Sequence, residues 1–513
     1  MQKWLVLVVV VLGLSLDLLD MTIVEVAIPD IMNQFGADIH LVQYVVTAYM
    51  MTIGLVEPVT AYLAETRGMK KMYIVSLIVF ILGSALCAES WSIESLIAFR
   101  VVQAVGGGMI MPLSLSLVQK VFAKEELPLA MGLMGIPLLI APAVGPVLGG
   151  YLVEHVSWEW IFWLNIPVGI PAVIAAWVVL TEFETMHRKL DTPGFILSGI
   201  GFSSLLLAIS NGPDEGWGSA SIVGLFFLSV SCLTLFVWVE ATVSEPLLDL
   251  RLFRHRIYTS ATVVTFFLMM SLFGSLYLVP LFLQQLRNMG PVDTGLALIP
   301  EVLGAALLVP ISALLLPRVG ATWLTIAGVV VMTAGMMPLT SLEIGTDLQI
   351  LKQHLAVVGC GLGLGIMPAV TLAYSTLPDA LVNQGSAFLN LVRQIGSALG
   401  VSMLTTILQE RQPVYVTRYA ETITLGSPAE QAWNQIGVSL QSLGHSAGEA
   451  QQLMMSLLVQ SVEQAASVLA FHDAFFAAVV FGWLTIVPAL FLYQNQRSKT
   501  KTSVGEALGG GQP

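Results

Sequence analysis

The sequence predicts an all-α integral membrane protein with fourteen transmembrane helices, arranged as two related six-helix bundles with two further helices between them. Three observations lead to this fold class. Of the 513 residues, 56% are hydrophobic and 11% are charged, whereas soluble domains carry about 25% charged residues. Fourteen apolar runs have the length of a membrane-spanning helix, from Trp4–Ile28 to Ala474–Tyr493. A weak internal repeat relates the first six runs to the last six.

The repeat consists of residues that recur at an offset of 251 to 252 positions. Pro29 recurs as Pro280, and Gly145 recurs as Gly396. Chance is the alternative, because glycine and proline are common, but a constant offset favours duplication. Transporters are often built from such repeats, with the substrate site between them. We predict an N-terminal bundle over 1–185, an insertion of two helices over 186–256, a C-terminal bundle over 257–495, and a disordered cytoplasmic tail over 496–513.

The basic residues predict the orientation of the chain. If the runs alternate in direction, fifteen Lys and Arg residues fall on one side and four on the other. The positive-inside rule then places both termini in the cytoplasm. The long hydrophilic stretch 409–470 lies outside. Within it, Ser446 and Glu449 form a capping-box pattern that predicts a short amphipathic helix over 450–469. The stretch is either merely solvated or a docking surface.

Three acidic residues interrupt the first apolar run. Each carboxylate at the centre of a membrane helix costs about 2.5 to 3.5 kcal/mol to insert. At 100° per residue, Asp17, Asp20 and Glu25 fall within an arc of about 140°, so this face cannot be in contact with lipid. A single acid paired with an arginine is the structural alternative. Three acids together favour a wet cavity that handles protons or cations.

The fourth apolar run contains Arg100. An arginine stays charged when it is buried, so it needs an acid or water nearby. We expect Asp20 as its partner, with Glu57 as the second choice. A buried arginine beside an acid is consistent with a static ion pair and also with a proton-transfer element.

Four segments together resemble a known family. They are Asp20 to Pro29, the turn from Ala61 to Lys71, Arg100 to Gly108, and Gly145-Pro146-Val-Leu-Gly149-Gly150 in helix 5. The chain resembles the major facilitator superfamily over nearly its whole length, in the fourteen-helix drug:proton antiporter branch that includes EmrB and QacA. The resemblance implies a proton-coupling role for Asp20 and Arg100, and the placement of Asp17 and Glu25 in the first run adds these two acids to the proton-coupling group. It also implies a cytoplasmic gating motif (Glu65, Arg67, Gly68, Lys70, Lys71) and an antiporter motif (Gly145, Pro146, Gly149, Gly150).

The chain departs from the family pattern at several positions. Glu25 stands where asparagine is usual, Asp17 is an extra acid, and Glu65 replaces an aspartate in the gating motif. Glu57 in the second apolar run and Glu301 in the tenth stand where the family has small or apolar residues. We expect both acids, together with Gln103, to line a substrate or cation cavity.

The predicted function is proton-coupled multidrug efflux, in which protons and amphipathic substrates, cations among them, compete for buried carboxylates. No cofactor, metal ion or nucleic-acid partner is expected, and the absence of His-Glu-x-x-His and Gly-x-Ser-x-Gly patterns argues against an enzyme. Resemblance to EmrB-type pumps implies partners besides the lipid bilayer and the drug: a periplasmic membrane-fusion adaptor and an outer-membrane channel. An uptake permease of the same fold and a transport-silent sensor are the alternatives.

Overall fold

A computed structural model describes residues 2–37, 39–123, 126–185, 190–243, 246–375, 377–378, 381–422, 435 and 446–492. The regular structure of these residues is helical. In chain order the helices are α1 Gln2–Phe35, α2 Ile39–Arg67, α3 Met69–Ala88, α4 Ile93–Val121, α5 Leu127–His155, α6 Trp160–Trp163, α7 Asn165–Val179, α8 Thr192–Glu215, α9 Ala220–Thr242, α10 Arg256–Gln285, α11 Pro291–Val319, α12 Ala321–Met336, α13 Leu348–Ser375, α14 Val382–Thr422 and α15 Ala447–Leu484.

The helices have the dimensions of membrane spans. Within the described residues, thirteen helical segments are long and apolar enough to cross a bilayer, and α6 and α7 together make one of them. The 29-residue helix α5 occupies the position of the remaining predicted run. In lipid, backbone N–H and C=O groups must form hydrogen bonds within the protein, and a helix satisfies them within a single segment. The predicted all-α membrane architecture is confirmed.

The two bundles repeat the same helix contacts. Helix α1 packs against α5 and α7, as α10 packs against α14 and α15. Helix α4 packs against α2 and α3, as α13 packs against α11 and α12. The predicted pairing of the first six spans with the last six is therefore confirmed. The residue limits of the predicted domains stay predictions, and the tail 496–513 lies outside the described residues.

The inserted helices α8 and α9 pack on each other, and α8 contacts both bundles. On one flank, the Ser203 hydroxyl of α8 donates a hydrogen bond to the Met51 carbonyl of α2, at 2.9 Å. On the other, the Ser402 hydroxyl of α14 donates to the Ile209 carbonyl of α8, at 2.5 Å. The insertion thus flanks the boundary between α2 and α14.

The stretch 409–470 differs from the sequence prediction. Helix α14 continues to Thr422, and α15 begins at Ala447 rather than at 474. Ser446 caps α15, since its hydroxyl accepts a hydrogen bond from the Glu449 amide while the Glu449 carboxylate accepts one from the Ser446 amide. The predicted short helix is therefore continuous with the last span. Glutamine, alanine and glutamate favour helix, so a polar sequence ends the membrane segment without ending the helix.

The extended parts of α14 and α15 contact each other. The Gln412 side-chain amide donates to the Ser467 hydroxyl at 2.9 Å, and the Tyr415 hydroxyl donates to the Asp473 carboxylate at 2.8 Å. Residues 423–434 and 436–445, which connect the two helices, lie outside the described residues.

Candidate functional site

A buried ion pair joins α1 to α4. The Arg100 guanidinium is 2.5 Å from Asp20 Oδ2, and both side chains are almost completely buried. Asp20 Oδ1 accepts hydrogen bonds from the side-chain amides of Gln103 and Asn165, each at 2.8 Å. Arg100 Nε also donates to the Val45 carbonyl of α2, at 3.2 Å. The expected pairing of Arg100 with Asp20 is confirmed, and the pair is linked to α2 and α7 as well.

Asn165 is a member of this cluster that the sequence did not indicate. It lies at the start of α7. The amide also donates to the Ser84 hydroxyl of α3, at 2.8 Å. An amide inside an apolar run is a signal that could have been used, because buried polar groups need partners.

A second acid lies beside the ion pair. Asp17 Oδ1 accepts a 2.8 Å hydrogen bond from the Tyr49 hydroxyl, and the Arg100 guanidinium lies 4.0 Å from the centre of the Tyr49 ring. A Cβ at Gly107 would lie 2.4 Å from the Tyr49 oxygen and 2.6 Å from Asp17 Oδ1, so this close approach requires glycine. The cluster contains two carboxyl groups, those of Asp17 and Asp20, and one cation, the Arg100 guanidinium. One proton makes the cluster neutral.

Glu25 lies apart from this cluster. It is in the second half of α1 and is exposed, and its charge acts on Tyr277 of α10. Glu25 therefore faces the space between the first helices of the two bundles. The structure brings Asp17 and Asp20 together but does not bring Glu25 to them.

Glu57, Glu301 and Gln103 do not line an open cavity in this arrangement, because all three are buried. Gln103 belongs to the Asp20 cluster. Glu57 on α2 accepts a hydrogen bond from the Asn390 amide of α14, so it lies between the two bundles. The backbone of Glu301 on α11 packs against Gly359 of α13. The expectation that these side chains line a substrate or cation cavity therefore stays a prediction.

The gating motif holds the start of α3. Gly68 adopts a φ of +96°, and a Cβ there would lie 2.6 to 2.9 Å from the Glu182 carboxyl group. The Glu182 carboxylate accepts hydrogen bonds from the backbone amides of Lys70 and Lys71, at 3.0 and 3.1 Å. An acid at a helix N-terminus satisfies free amides and opposes the positive end of the helix dipole. Glu182, which the sequence did not single out, is therefore part of this motif.

The motif also reaches the other bundle. The Asn383 amide of α14 donates to Glu65 Oε1 at 3.3 Å. The Lys70 ammonium donates to the Trp177 carbonyl of α7 at 2.7 Å, while Arg67 is exposed at the end of α2. The segment thus links α2, α3, the end of α7 and α14.

The glycines of the antiporter motif allow α5 to approach α1. A Cβ at Gly145 would lie 2.1 Å from Thr22 Oγ1, and one at Gly149 would lie 2.9 Å from Ile23 Cγ1. Gly150 is buried in the same helix, and the side chain of Pro146 lies outside the described residues. The predicted close helix approach is present. Helix α5 packs against the turn of α1 that directly follows Asp20.

Two seams join the bundles. The polar seam lies between α2 and α14 and consists of Glu57 and Glu65 with Asn390 and Asn383. The apolar seam lies between α5 and the helices α11 and α13. There, a Cβ at Gly132 would lie 2.9 Å from Val309 Cγ1, and a Cβ at Gly135 would lie 2.4 Å from Met367 Cε.

Both seams lie in the halves of their helices nearest the end at which α1 begins, here called the terminal side. The contacts that define the two seams therefore join the bundles on the terminal side. In the opposite halves, Glu25 of α1 and Tyr277 of α10 are exposed.

Known proteins are similar to this chain in sequence or in fold. Residues 10–401 match the family model described as Major Facilitator Superfamily. The uncharacterized MFS-type transporter YhcA of Bacillus subtilis (strain 168) is 28% identical over 98% of this chain and 95% of its own length. A "Multidrug resistance protein B homolog" of Mycobacterium tuberculosis (strain H37Rv) is 30% identical over 93% of this chain and 88% of its own. The human organic anion transporter MFSD10 has the same fold, with a TM-score of 0.60 at 12% identity over 94% of this chain and 99% of its own. The chain belongs to the major facilitator superfamily.

Proposed function

We propose that this protein is a proton-coupled multidrug efflux antiporter, which exports amphipathic molecules, including cations, across the inner membrane of a bacterium. The observation that carries the proposal is the buried cluster of Asp17, Asp20 and Arg100, in which two carboxyl groups share one cation between α1 and α4. Family membership supports a transporter rather than an enzyme. Similarity to proteins named for multidrug resistance supports export of drugs.

The cluster suits proton coupling because protonation changes its net charge without leaving a group unpaired. Asp20 is held by Arg100, Gln103 and Asn165, so its ionised form is fully compensated. Asp17 accepts a hydrogen bond from the neutral Tyr49 hydroxyl, and it is therefore the member better suited to gain and lose a proton. Binding of a cationic substrate nearby would favour loss of that proton, and arrival of a proton would favour release of the substrate.

The membrane potential can supply the energy for this exchange. One proton crossing 100 mV releases about 2.3 kcal/mol, which is enough for a concentration ratio of roughly fiftyfold by the relation between free energy and equilibrium constant. In the proposed cycle, a proton enters from the side opposite the two seams. Helix α5 packs against α1 through Gly145 and Gly149, so a change in the cluster is transmitted to the helix whose other half forms the apolar seam.

The positive-inside rule places the terminal side, and with it both termini, in the cytoplasm. The paired extensions of α14 and α15 then project into the periplasm. Their exposed surface is our candidate docking site for a membrane-fusion adaptor, through which an outer-membrane channel would be reached. Cross-linking from Thr417 on the exposed face of α14 to a co-purified adaptor tests this partner.

Dye efflux from energised cells tests the function. We expect ethidium to be extruded by the wild type, extrusion to stop when a protonophore is added, and Asp20→Asn to abolish it at equal expression. The matched control is Asp30→Asn, which removes an exposed acid from the same helix and should leave extrusion unchanged. Extrusion that survives both the protonophore and Asp20→Asn would rule out proton coupling. Ethidium accumulation instead of extrusion would favour the uptake permease.

A further inference from the structure

Glu57 occupies an unusual position for a carboxyl group. It is 1% exposed and lies in the polar seam, where the two bundles meet on the terminal side. One of its oxygens accepts the hydrogen bond from the Asn390 amide across the seam. The other, Oε2, is buried and has no hydrogen-bond partner among the residues that the structure describes.

The surroundings of Glu57 offer little compensation for a negative charge. The charged groups whose fields reach it are Asp17 on α1 and Arg393 on α14, which have opposite signs. The ion pairs found among the described residues do not join Glu57 to Arg393.

Other contacts described for this part of α2 involve uncharged groups. Gly108 of α4 packs against Ile53, and Gly199 of α8 packs against Leu55. The nearest direct partner of the Glu57 carboxyl group is therefore a neutral amide.

A carboxylate in such a site is unfavourable. Buried charges are normally paired or accept several hydrogen bonds, and a single neutral donor does not replace the lost hydration. A protonated carboxyl group fits the same site well, because its carbonyl oxygen can accept from Asn390 without a net charge in the seam. The closed seam therefore matches the acid form of Glu57. When the seam opens, water reaches the group and the ionised form becomes acceptable.

We propose that Glu57 and Asn390 form a proton-dependent latch on the terminal side. The seam closes when Glu57 carries a proton, and it opens as Glu57 releases that proton to the water on the terminal side. This proposal rests on the transport function proposed above, and it assigns Glu57 a control over closure instead of contact with substrate. Acidification on the terminal side then holds the transporter closed to that side.

The latch is confined to one seam. Val309 lies at the repeat offset of 252 residues from Glu57 and packs against Gly132 in the apolar seam. A valine against a glycine cannot respond to pH. Proton-dependent closure therefore acts through α2 and α14.

Distance measurements on the full-length protein in lipid nanodiscs test the latch. Spin labels at Lys120→Cys and Arg318→Cys, two exposed positions on the terminal side of different bundles, report on closure after the three native cysteines are replaced by serine. In the wild-type background we expect the short distance to dominate at acidic pH. In the pH range in which Glu57 is protonated in the closed protein and ionised in the open protein, the ratio of closed to open protein should fall by about tenfold per pH unit, as linkage to one proton requires.

Two variants separate the latch from other causes of pH dependence. Glu57→Gln keeps an acceptor for Asn390 without a charge, so it should stay closed at every pH. Asn390→Ala removes the donor and should lower the closed fraction at acidic pH. Glu240→Gln, which alters a buried acid of α9 outside the polar seam, should respond to pH like the wild type.

Three outcomes would overturn the latch: a wild-type distance that does not change with pH, a Glu57→Gln protein that still responds, or a Glu57→Gln protein that is open at every pH. The last would mean that an ionised Glu57 holds the seam through Arg393. The measurement needs no substrate. A failed ethidium test with an intact pH response would therefore reject antiport and leave the latch, and the converse result would reject the latch alone.

Discussion

The polar and apolar seams are built from equivalent helices but have opposite chemistry. The repeat relates α2 to α11 and α14 to α5, so the contact of α2 with α14 corresponds to that of α11 with α5. In the first, Glu57 meets Asn390; in the second, Val309 meets Gly132. Duplication of the fold preserved the packing and not the polar groups. We infer that one seam senses protonation while the other only sets how closely the bundles approach.

The interiors of the two bundles differ in the same way. Ser271 lies at the repeat offset of 251 residues from Asp20. Its hydroxyl donates a 2.8 Å hydrogen bond to the Ala478 carbonyl of α15. In the N-terminal bundle the corresponding contact is that of Asp20 with Asn165 of α7. The C-terminal bundle thus uses a neutral hydrogen bond at the place where the N-terminal bundle has an ion pair.

Arg100→Leu should have the largest effect, because it leaves Asp20 buried without its cation. Removal of one partner from a buried pair costs about 3–5 kcal/mol, and we expect loss of folded protein in detergent, measured by size-exclusion chromatography and thermal unfolding. In the other bundle, Ser271→Ala, at the position that corresponds to Asp20, should cost only about 1 kcal/mol, one neutral hydrogen bond. Equal losses for the two variants would contradict the difference between the bundles.

Gly132→Leu should open the apolar seam. The added side chain meets Val309 on α11, and overpacking of this kind costs about 1–3 kcal/mol. The closed fraction in the spin-label experiment should therefore fall at every pH, and Val309→Ala should restore part of it. A Gly132→Leu protein whose closed fraction changes only at alkaline pH would show that the two seams are not separate in their response.

Glu182→Ala should weaken the start of α3. It removes the carboxylate that accepts from the Lys70 and Lys71 amides, and loss of such a cap costs about 0.5–2 kcal/mol. Hydrogen exchange should be faster in the first turn of α3, while the last turn of α2 serves as the internal reference. Unchanged protection of the α3 amides would exclude Glu182 from the gating motif.

Asn383→Ala should have the smallest effect. Its 3.3 Å hydrogen bond to Glu65 is long, and Glu65 has further interactions, so we expect a loss of about 0.5–1 kcal/mol in closure of the polar seam. The closed fraction at acidic pH should fall less than for Asn390→Ala. A larger effect at Asn383 would place the latch at the end of α2 instead of at Glu57.

The sequence predicted the parts of this protein that follow from local physical rules. Apolar run length gave the spans, and the need of a buried arginine for an acid gave the pairing of Arg100 with Asp20. Contacts between distant helices were not predictable in this way. Glu57 and Asn390 are 333 residues apart, and no spacing in one helix indicates which side chain faces it from the other bundle.

Two further differences have separate causes. The sequence predicts a hydrophilic stretch over 409–470 with one short helix over 450–469, whereas α14 and α15 extend into it, because a polar sequence can end a membrane segment without ending the helix. The roles of Asn165 and Glu182 are not predictable because each acts on a helix far from it in sequence, and single amides or acids near helix ends are common.

Proton movement in proteoliposomes tests antiport most directly. Purified protein is reconstituted with a pH-sensitive dye inside the vesicles, and an ethidium gradient is imposed in the absence of a proton gradient. We predict that ethidium moving in one direction drives protons in the other, that Asp20→Asn abolishes both fluxes, and that Asp30→Asn retains them. Protons that move with ethidium, or an ethidium flux without any proton flux, would contradict the account.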